Sequence, residues 1–410
     1  MVSALNEKST LVTADKISGY HWLMFVVVFL GNVMGGTAST LMSVYLPVLT
    51  KDLLGTVDEG SLSNVSAYIS ALYFVGWAIG GLTMGIIGDR IGRARSLALS
   101  IGMFGLFTLG ISFVSTWEMV LVFRFLCGFG VGGMLVTNNT LLSEIWPVRT
   151  RAVFIGILSI GFPVGIFSSG AVNYFVGSWK EGFMIGLVPL ALSLIAFLIL
   201  RESEVWKAAR STSQERTVAD NLRSHRRELL NGSLIFGSML IGLWAVFSWV
   251  PTWVQSLLTG SDGQRERGIS MMLLGAGGLS GGFLSGWVAN ALGTRKAMLL
   301  CFGGCFILSC LLFKGNNSFT SVTIVEIAML SFMFGISQGL LAVYIPQLFA
   351  VTIRGMATGF CFNVGRFFTA AVVFFVGALV TTFGGYGNSL FAFSFVFLIG
   401  FVILLVAKKV

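Results

Sequence analysis

Long apolar runs separated by short polar stretches make up almost the whole chain. About 20 consecutive apolar residues cross a bilayer as a helix, and the chain contains twelve runs of that order. The period-two alternation that a transmembrane barrel requires is not seen over strand-length segments. We therefore predict an all-α membrane protein with twelve transmembrane helices, at residues 22–48, 63–88, 96–114, 118–142, 153–176, 182–200, 232–257, 269–292, 297–313, 320–345, 356–383 and 387–407.

The composition supports the bilayer as the solvent of this chain. Hydrophobic residues make up 55% of it and charged residues 10%, and the mean hydropathy is +0.89. A soluble fold has too little interior to hide that much apolar surface. The first twenty residues are polar, so we expect no cleavable signal peptide.

The excess of basic residues follows the predicted topology. The formal net charge is +9. With a cytoplasmic N-terminus, 19 of the 26 Lys and Arg residues fall in cytoplasmic segments, 5 in outside loops and 2, Arg124 and Arg366, within spans. Because positive residues accumulate on the cytoplasmic side, we predict a multi-pass protein of the plasma (inner) membrane with both termini in the cytoplasm. The lipid bilayer accounts for this charge, and we expect no nucleic-acid partner.

Residues that enzymes and metal sites need are scarce. The five cysteines lie in apolar runs without paired ligand spacing, and the two histidines, His21 and His225, are far apart. Cysteines in such runs are normally small packing residues. No catalytic set of acid, base, nucleophile and metal ligands converges on one place. We therefore predict neither an enzyme nor a metal or organic cofactor.

Two stretches 201 positions apart repeat one pattern. GIIGDRIGRAR at residues 85–95 and GWVANALGTRK at residues 286–296 are each a basic, glycine-marked turn between two apolar runs. A second pair, SEIWPVRTRA at 143–152 and PQLFAVTIRG at 346–355, repeats with an offset of 203. Halves related in this way indicate two similar helical bundles with a substrate path between them.

The polar stretch 201–230 divides the chain. We predict an N-terminal six-helix domain at 1–200 with a cytoplasmic tail at 1–20, a cytoplasmic linker at 201–230, and a C-terminal six-helix domain at 231–410. The mixed charges of the linker fit either short amphipathic helices on the membrane surface or a solvated, flexible segment.

These landmarks resemble the major facilitator superfamily. Residues 85–95 are similar to its loop 2–3 motif, and RFLCGFGVGG at 124–133 is similar to its fourth-helix motif. Residues 143–151 and ESEVW at 202–206 resemble the sugar-porter and organic-anion branches, whereas YIPQLF at 344–349, Arg354-Gly355 and NVGR at 363–366 look most like sialate and aromatic-acid proton symporters. The resemblance implies two six-helix bundles, each of inverted three-helix repeats, that rock about a central cavity.

Arg366 is the strongest single candidate for substrate binding. If the eleventh span begins near Gly355, Arg366 lies about 16 Å along the helix, close to the bilayer centre, where a charge costs at least ~2.5 kcal/mol. No acid sits at a comparable depth. Its guanidinium would pair with both oxygens of a substrate carboxylate; the alternative is a structural arginine tied to backbone carbonyls or to Asn363. Further candidates for contact with substrate are Asn363, Asn32, Asn138, Gln338 and Trp249.

Trp249 belongs to an aromatic patch in the seventh span, which Pro251 interrupts. The patch fits an extracellular gate, since a proline allows a helix to bend. It also fits an interfacial aromatic belt, which explains Trp253 better.

Two charged residues are candidates for proton coupling. Resemblance to proton-coupled members implies that Arg124 works with an acid in the first span, but residues 22–49 contain no Asp or Glu, and Asn32 stands in the expected region. Glu326 is the only acid well inside the tenth span, at a depth similar to that of Arg124. A carboxylate withdrawn from water can carry a proton near neutral pH. The alternative for Glu326 is an interfacial ion pair or a snorkelling residue at the outer edge.

The resemblance also implies a gate on the cytoplasmic face. Asp89, Arg93, Glu144 and Arg151 would meet there, and an acid is favoured at the positive end of a helix from the other half. The second half has Asn290 and Gln347 at the corresponding places. We therefore expect its gate to depend less on charge.

Together these inferences favour secondary transport of a small organic anion, in particular a carboxylate, by proton symport with alternating access in a monomer. The proton is the expected coupling ion. The alternative is a facilitative or proton-coupled carrier of a neutral solute such as a sugar, which the missing first-span acid would suit. A non-transporting receptor would usually add a long soluble signalling segment, and the longest polar stretch here is about 30 residues.

Overall fold

Twelve helices long and apolar enough to cross a membrane occur in the described part of the chain, as the apolar runs predict. The computed structural model describes residues 17–56, 58–203, 206–207, 225–258, 262–349 and 354–406, and these include no strand. The helices are α1 (Gly19–Leu54), α2 (Glu59–Ile91), α3 (Arg93–Ile111), α4 (Trp117–Ile145), α5 (Val148–Phe175), α6 (Trp179–Ile199), α7 (Arg226–Ser256), α8 (Gln264–Leu292), α9 (Thr294–Gly315), α10 (Ser321–Gln347), α11 (Arg354–Phe383) and α12 (Tyr386–Val406).

Several helices continue past the apolar runs that predict them. α1 passes through Pro47 and ends at Leu54, and its Asp52 accepts a hydrogen bond from Trp179 Nε1 at 2.9 Å. α7 begins at Arg226, inside the stretch predicted as the linker. A helix satisfies its own backbone, so it continues into the interface while its polar side chains reach water. Residues 1–16 and 208–224 lie outside the described residues, and the predicted domain boundaries stay predictions.

The two basic repeats form the same turn in each half. Gly92 separates α2 from α3 with a φ of 112°, and Gly293 separates α8 from α9 with a φ of 78°. Backbone of this kind favours glycine because a Cβ would be strained. The repeated glycine is therefore required by the sharp reversal between two spans.

Glycines also bring the second and fourth helices of each half into backbone contact. In the first half, a Cβ on Gly128 of α4 would overlap the carbonyl of Tyr73 of α2. In the second half, a Cβ on Gly281 of α8 would overlap the carbonyl of Phe332 of α10. Small residues allow such close approach between membrane helices, and both halves use them at the equivalent helix pair.

The halves meet mainly through two helix pairs, α2 with α11 and α5 with α8, and α1 also contacts α7 and α8. At the predicted extracellular end, Gly268 of α8 approaches the backbone of Gly170 of α5. The same helix faces reach Gly156 and Gly286 near the other end, where an added Cβ would meet nothing within 4 Å. The bundles therefore touch at the predicted extracellular end and diverge toward the predicted cytoplasmic side.

Candidate functional site

A small cavity lies where α2, α7 and α11 meet. Its volume is about 10 Å³, which is room for about one water molecule. Both halves of the chain contribute to its wall, so movement of one half against the other changes its size. The lining residues are Phe74, Trp77, Leu240, Trp244, Arg366 and Thr369.

Aromatic rings from both halves form most of this wall. The Trp77 and Trp244 ring centroids are 5.2 Å apart at 76°, and those of Phe74 and Trp244 are 5.1 Å apart at 64°. Phe162 of α5 extends the cluster, with its ring centroid 5.9 Å from that of Trp77. The two edge-to-face contacts of Trp244 are favourable, and the faces of these rings suit a flat, unsaturated ligand.

Arg366 is the charged residue of the cavity, as its position in the eleventh span predicts. In the described part of the chain, its guanidinium makes neither a hydrogen bond nor an ion pair, although the side chain is partly buried. The alternative bond to Asn363 is also not formed: its side-chain oxygen, the atom that would accept from a guanidinium, has no partner among the described residues. Of the two interpretations of Arg366, the one that leaves it free for an anion fits this geometry.

Asn363 lies one helical turn from Arg366, and both face α2. Its side-chain oxygen is buried and lacks a partner among the described residues. That oxygen is 3.8 Å from the position that a Cβ on Gly81 of α2 would occupy. The structure thus brings Arg366 and Asn363 together at one interface between the halves.

Three other predicted ligands lie outside the cavity lining. The amide nitrogen of Asn32 donates to Leu158 O of α5 at 2.6 Å, and that of Asn138 donates to Val28 O of α1 at 3.3 Å. Both nitrogens therefore tie helices of the first half together. Gln338 is partly buried on α10, and its side-chain nitrogen has no partner among the described residues. Contact of these three residues with a ligand stays a prediction.

The aromatic patch of α7 is divided between two environments. Trp244 lines the cavity, whereas Trp249 is fully buried and stacks on Tyr386 of α12, with ring centroids 5.7 Å apart. Trp253 is 2% exposed and packs against Phe313 of α9. The belt interpretation is therefore wrong for Trp253, because its position on the helix turns it into the second bundle. Trp249 also packs inside that bundle and does not line the cavity.

Arg124 is buried in the first half and already has partners. It is 3% exposed, lies 3.9 Å from the Tyr73 ring centroid, and donates to Ala38 O at 3.0 Å and to Ser39 O at 3.4 Å. Asn32 lies about two turns away along α1, so it is not the residue opposite Arg124 as the sequence comparison suggested. The tilt and length of α1 decide this alignment, and backbone carbonyls with an aromatic face stand where an acid was expected.

Glu326 lies in the second turn of α10, near its predicted extracellular end. Its carboxylate accepts a hydrogen bond from Asn316, the residue after α9, at 2.6 Å. Glu326 forms no ion pair with Arg124, Arg366 or any other described residue. Its role in coupling stays a prediction.

Three of the four predicted gate residues meet. Arg93 contacts Asp89 at 2.5 Å and Glu144 at 3.3 Å. Arg151 does not join them, because its guanidinium donates twice to Trp146 O, at 3.1 Å each, where α4 ends. All of these partners belong to the first half. This agrees with the divergence of the two halves on the predicted cytoplasmic side, where the second half is out of reach.

Glu202 belongs to the ESEVW motif at 202–206, for which the sequence suggested no specific role. Its two carboxylate oxygens accept hydrogen bonds from Ala94 N and Arg95 N, each at 3.1 Å. They cap the first turn of α3, where unpaired N–H groups favour an anion. Among the described residues, no group of three or more His, Cys, Asp or Glu side chains could hold a metal ion.

Arg267 is the residue that sequence reasoning missed. The charge pattern places Arg267 in an outside loop, but in the structure the residue is only 1% exposed. Its Nε donates to Val44 O of α1 at 2.8 Å. Gln264 makes a second contact between the halves by donating to Asn173 O of α5 at 2.9 Å. Arg265, in the same turn, is exposed, and nothing in a single sequence distinguishes these neighbouring arginines.

Comparison with known proteins agrees with this architecture. The family model described as Major Facilitator Superfamily matches residues 28–372. The cis,cis-muconate transport protein of Acinetobacter baylyi is 26% identical over 90% of both chains. The gallate transporter of Pseudomonas putida is 26% identical over 86% of this chain and 84% of its own.

A solved structure of the same fold supports that assignment. The inward-open xylose transporter XylE from E. coli superposes with a TM-score of 0.79 at 16% identity, covering 95% of this chain and 97% of that one. At this identity the likeness concerns the fold alone. The family match covers most of the chain and agrees with its twelve helices. The chain is therefore a multi-pass membrane transporter rather than an enzyme, and it belongs to the Major Facilitator Superfamily.

Proposed function

We propose that this protein transports small organic carboxylates with a flat, unsaturated body across the inner membrane by alternating access. The observation that carries the proposal is an unpaired guanidinium, that of Arg366, beside the rings of Trp77 and Trp244. A guanidinium binds both oxygens of a carboxylate, and aromatic faces accept a planar body. The relatives named for cis,cis-muconate and gallate support this class, since both compounds are unsaturated carboxylates.

Binding requires the aromatic wall to move. A cavity of about 10 Å³ holds no organic anion, so entry of substrate displaces the rings of Phe74, Trp77 and Trp244. The carboxylate then neutralises Arg366, and Asn363 offers its free oxygen to a hydroxyl or ring N–H. Because the wall is shared by α2, α7 and α11, occupancy of the site is linked to the relative position of the two halves.

We also propose that a proton accompanies the anion, that both termini face the cytoplasm and that one chain suffices for transport. The 19-to-5 bias of basic residues supports the orientation. A cavity walled by both halves of one chain supports the monomer. For the proton, Glu326 is the candidate carrier; its bond to Asn316 occupies only one carboxylate oxygen.

The test is uptake of radiolabelled gallate and cis,cis-muconate into proteoliposomes, with external pH recorded. Charge-assisted hydrogen bonds contribute about 1.5–3 kcal/mol, so Arg366→Gln should raise KM for these anions by about 10- to 150-fold. Arg366→Lys keeps the charge without the planar fork and should fall between. Arg265→Gln, an exposed arginine, serves as the matched control. External alkalinisation with uptake would support proton symport.

Three results would count against parts of this proposal. An unchanged KM in a folded Arg366→Gln protein removes the carboxylate site. Anion uptake at constant external pH removes the proton. Uptake of a labelled sugar such as xylose, without uptake of either anion, favours the neutral-solute alternative.

A further inference from the structure

We infer that the protein exchanges organic anions across the membrane much faster than it carries out net uptake, because the empty carrier changes sides slowly. This inference rests on the proposed function, since it concerns the return step of the same site. It depends on how the two arginines within the spans are compensated.

The first arginine carries its compensation with it. Arg124 has the carbonyls of Ala38 and Ser39 and the face of Tyr73. All of these groups belong to the first half, so they stay in place when one half moves against the other. The charge of Arg124 therefore does not hinder the empty carrier.

The second arginine has no such compensation. The chain has 17 acidic residues, and within the described helices every one except Glu326 lies in the first or last turn. Glu326 is held by Asn316 at the outer end of α10. No fixed carboxylate is therefore available to Arg366 at the level of the cavity.

Water can replace a partner only while one side is open. The guanidinium of Arg366 has five N–H donors, and the cavity beside it holds about one water molecule. In the intermediate in which both ends are closed, the empty carrier must bury this charge. The loaded carrier passes through the same intermediate with a carboxylate paired to it.

The size of the effect follows from the cost of an uncompensated charge. On insertion scales a charge at the bilayer centre is disfavoured by at least ~70-fold. We therefore expect exchange to exceed net uptake by about tenfold or more.

The experiment compares two sets of proteoliposomes containing the full chain. One set is preloaded with unlabelled gallate and the other with an impermeant buffer anion, at equal pH on both sides and with the membrane potential clamped by potassium and valinomycin. Initial uptake of labelled gallate should be about tenfold faster into the preloaded set. Equal rates in both sets overturn the exchange inference, whereas no uptake in either set counts against the proposed function.

A built-in partner for Arg366 provides a second test. Thr369 lies one turn from Arg366 in the same cavity wall, so Thr369→Glu places a carboxylate beside the guanidinium. The ratio of exchange to net uptake should fall toward one in this variant and stay high in Thr369→Gln, which has the same size without the charge. A high ratio in both variants contradicts the role of Arg366. Where the Glu variant no longer transports, the ratio in the unaltered protein decides alone.

Discussion

At the scale of single residues, the two arginines within the spans differ in what surrounds them. Arg124 is enclosed by carbonyls and the Tyr73 ring, whereas Arg366 faces a cavity without a partner among the described residues. A buried charge is tolerated in a membrane when it is paired or functional. These surroundings support the proposal that Arg124 holds helices of the first half together and that Arg366 is available for substrate.

Replacement of Arg124 by lysine should therefore lower stability. Lysine lacks the plane that stacks on Tyr73 and the fork that reaches Ala38 O and Ser39 O, so we expect a loss of about 1.5–3 kcal/mol. Thermal unfolding of the purified protein in detergent measures this, with Arg265→Lys as the exposed control. A variant with unchanged stability that transports gallate without moving protons would instead assign Arg124 to coupling.

At the scale of helices, close packing depends on glycines in pairs of equivalent helices. Gly128 of α4 lies against the Tyr73 carbonyl of α2, while Gly156 of α5 faces open space on the diverging side. The two glycines therefore differ in what surrounds them. Only the position of Gly128 excludes a larger residue.

Alanine substitutions at these two glycines should have opposite consequences. Gly128→Ala forces α2 and α4 apart, and overpacking of this kind costs about 1–3 kcal/mol. Gly156→Ala adds a methyl group in open space and should leave stability unchanged or slightly raised. The melting temperatures of both variants in one detergent give the comparison. An unchanged melting temperature for Gly128→Ala would show that the α2–α4 contact is not close enough to exclude a methyl group.

At the scale of the whole molecule, Arg267 and Gln264 join the halves at the predicted extracellular end. Arg267 Nε bonds to Val44 O of α1, and Gln264 bonds to Asn173 O of α5. Both contacts must break when that end opens. They stabilise the conformation that is open toward the predicted cytoplasmic side.

Arg267→Gln should consequently shift the protein toward the opposite conformation. Loss of charge-assisted bonds worth about 1.5–3 kcal/mol changes the ratio of the two states by about tenfold or more. Met271, fully buried one turn further along α8, is a suitable reporter as Met271→Cys. An impermeant maleimide added from outside should label that cysteine several-fold faster when Arg267→Gln is also present.

The controls for this labelling come from the same region. The chain without the reporter measures reaction of the five native cysteines, of which four are buried. Lys180→Gln, at an exposed cation of the same end whose ring contact with Trp179 lies within its own half, should leave the labelling rate unchanged. No acceleration in the Arg267 variant would mean that other contacts hold this end closed.

The twelve spans, the repeated halves and the mid-span position of Arg366 follow from the amino-acid sequence by itself. Each depends on a property that acts locally. A run of apolar residues enters lipid wherever its neighbours lie, a reversal such as that at Gly92 needs glycine, and a charge in mid-span costs energy in any arrangement of helices. Fold class and the central charge are therefore visible in one sequence.

The partners of the polar residues were decided only by the tertiary structure. Whether Asn32 faces Arg124 or Leu158, and whether Arg267 points to water or to Val44, depends on how each helix is rotated and tilted against its neighbours. The same holds for Trp253, which turns inward to Phe313. These rotations result from packing between residues distant in sequence, because lipid solvates apolar side chains on every face of a helix almost equally. Hydropathy therefore determines which segments cross the membrane, and close packing determines which residues meet there.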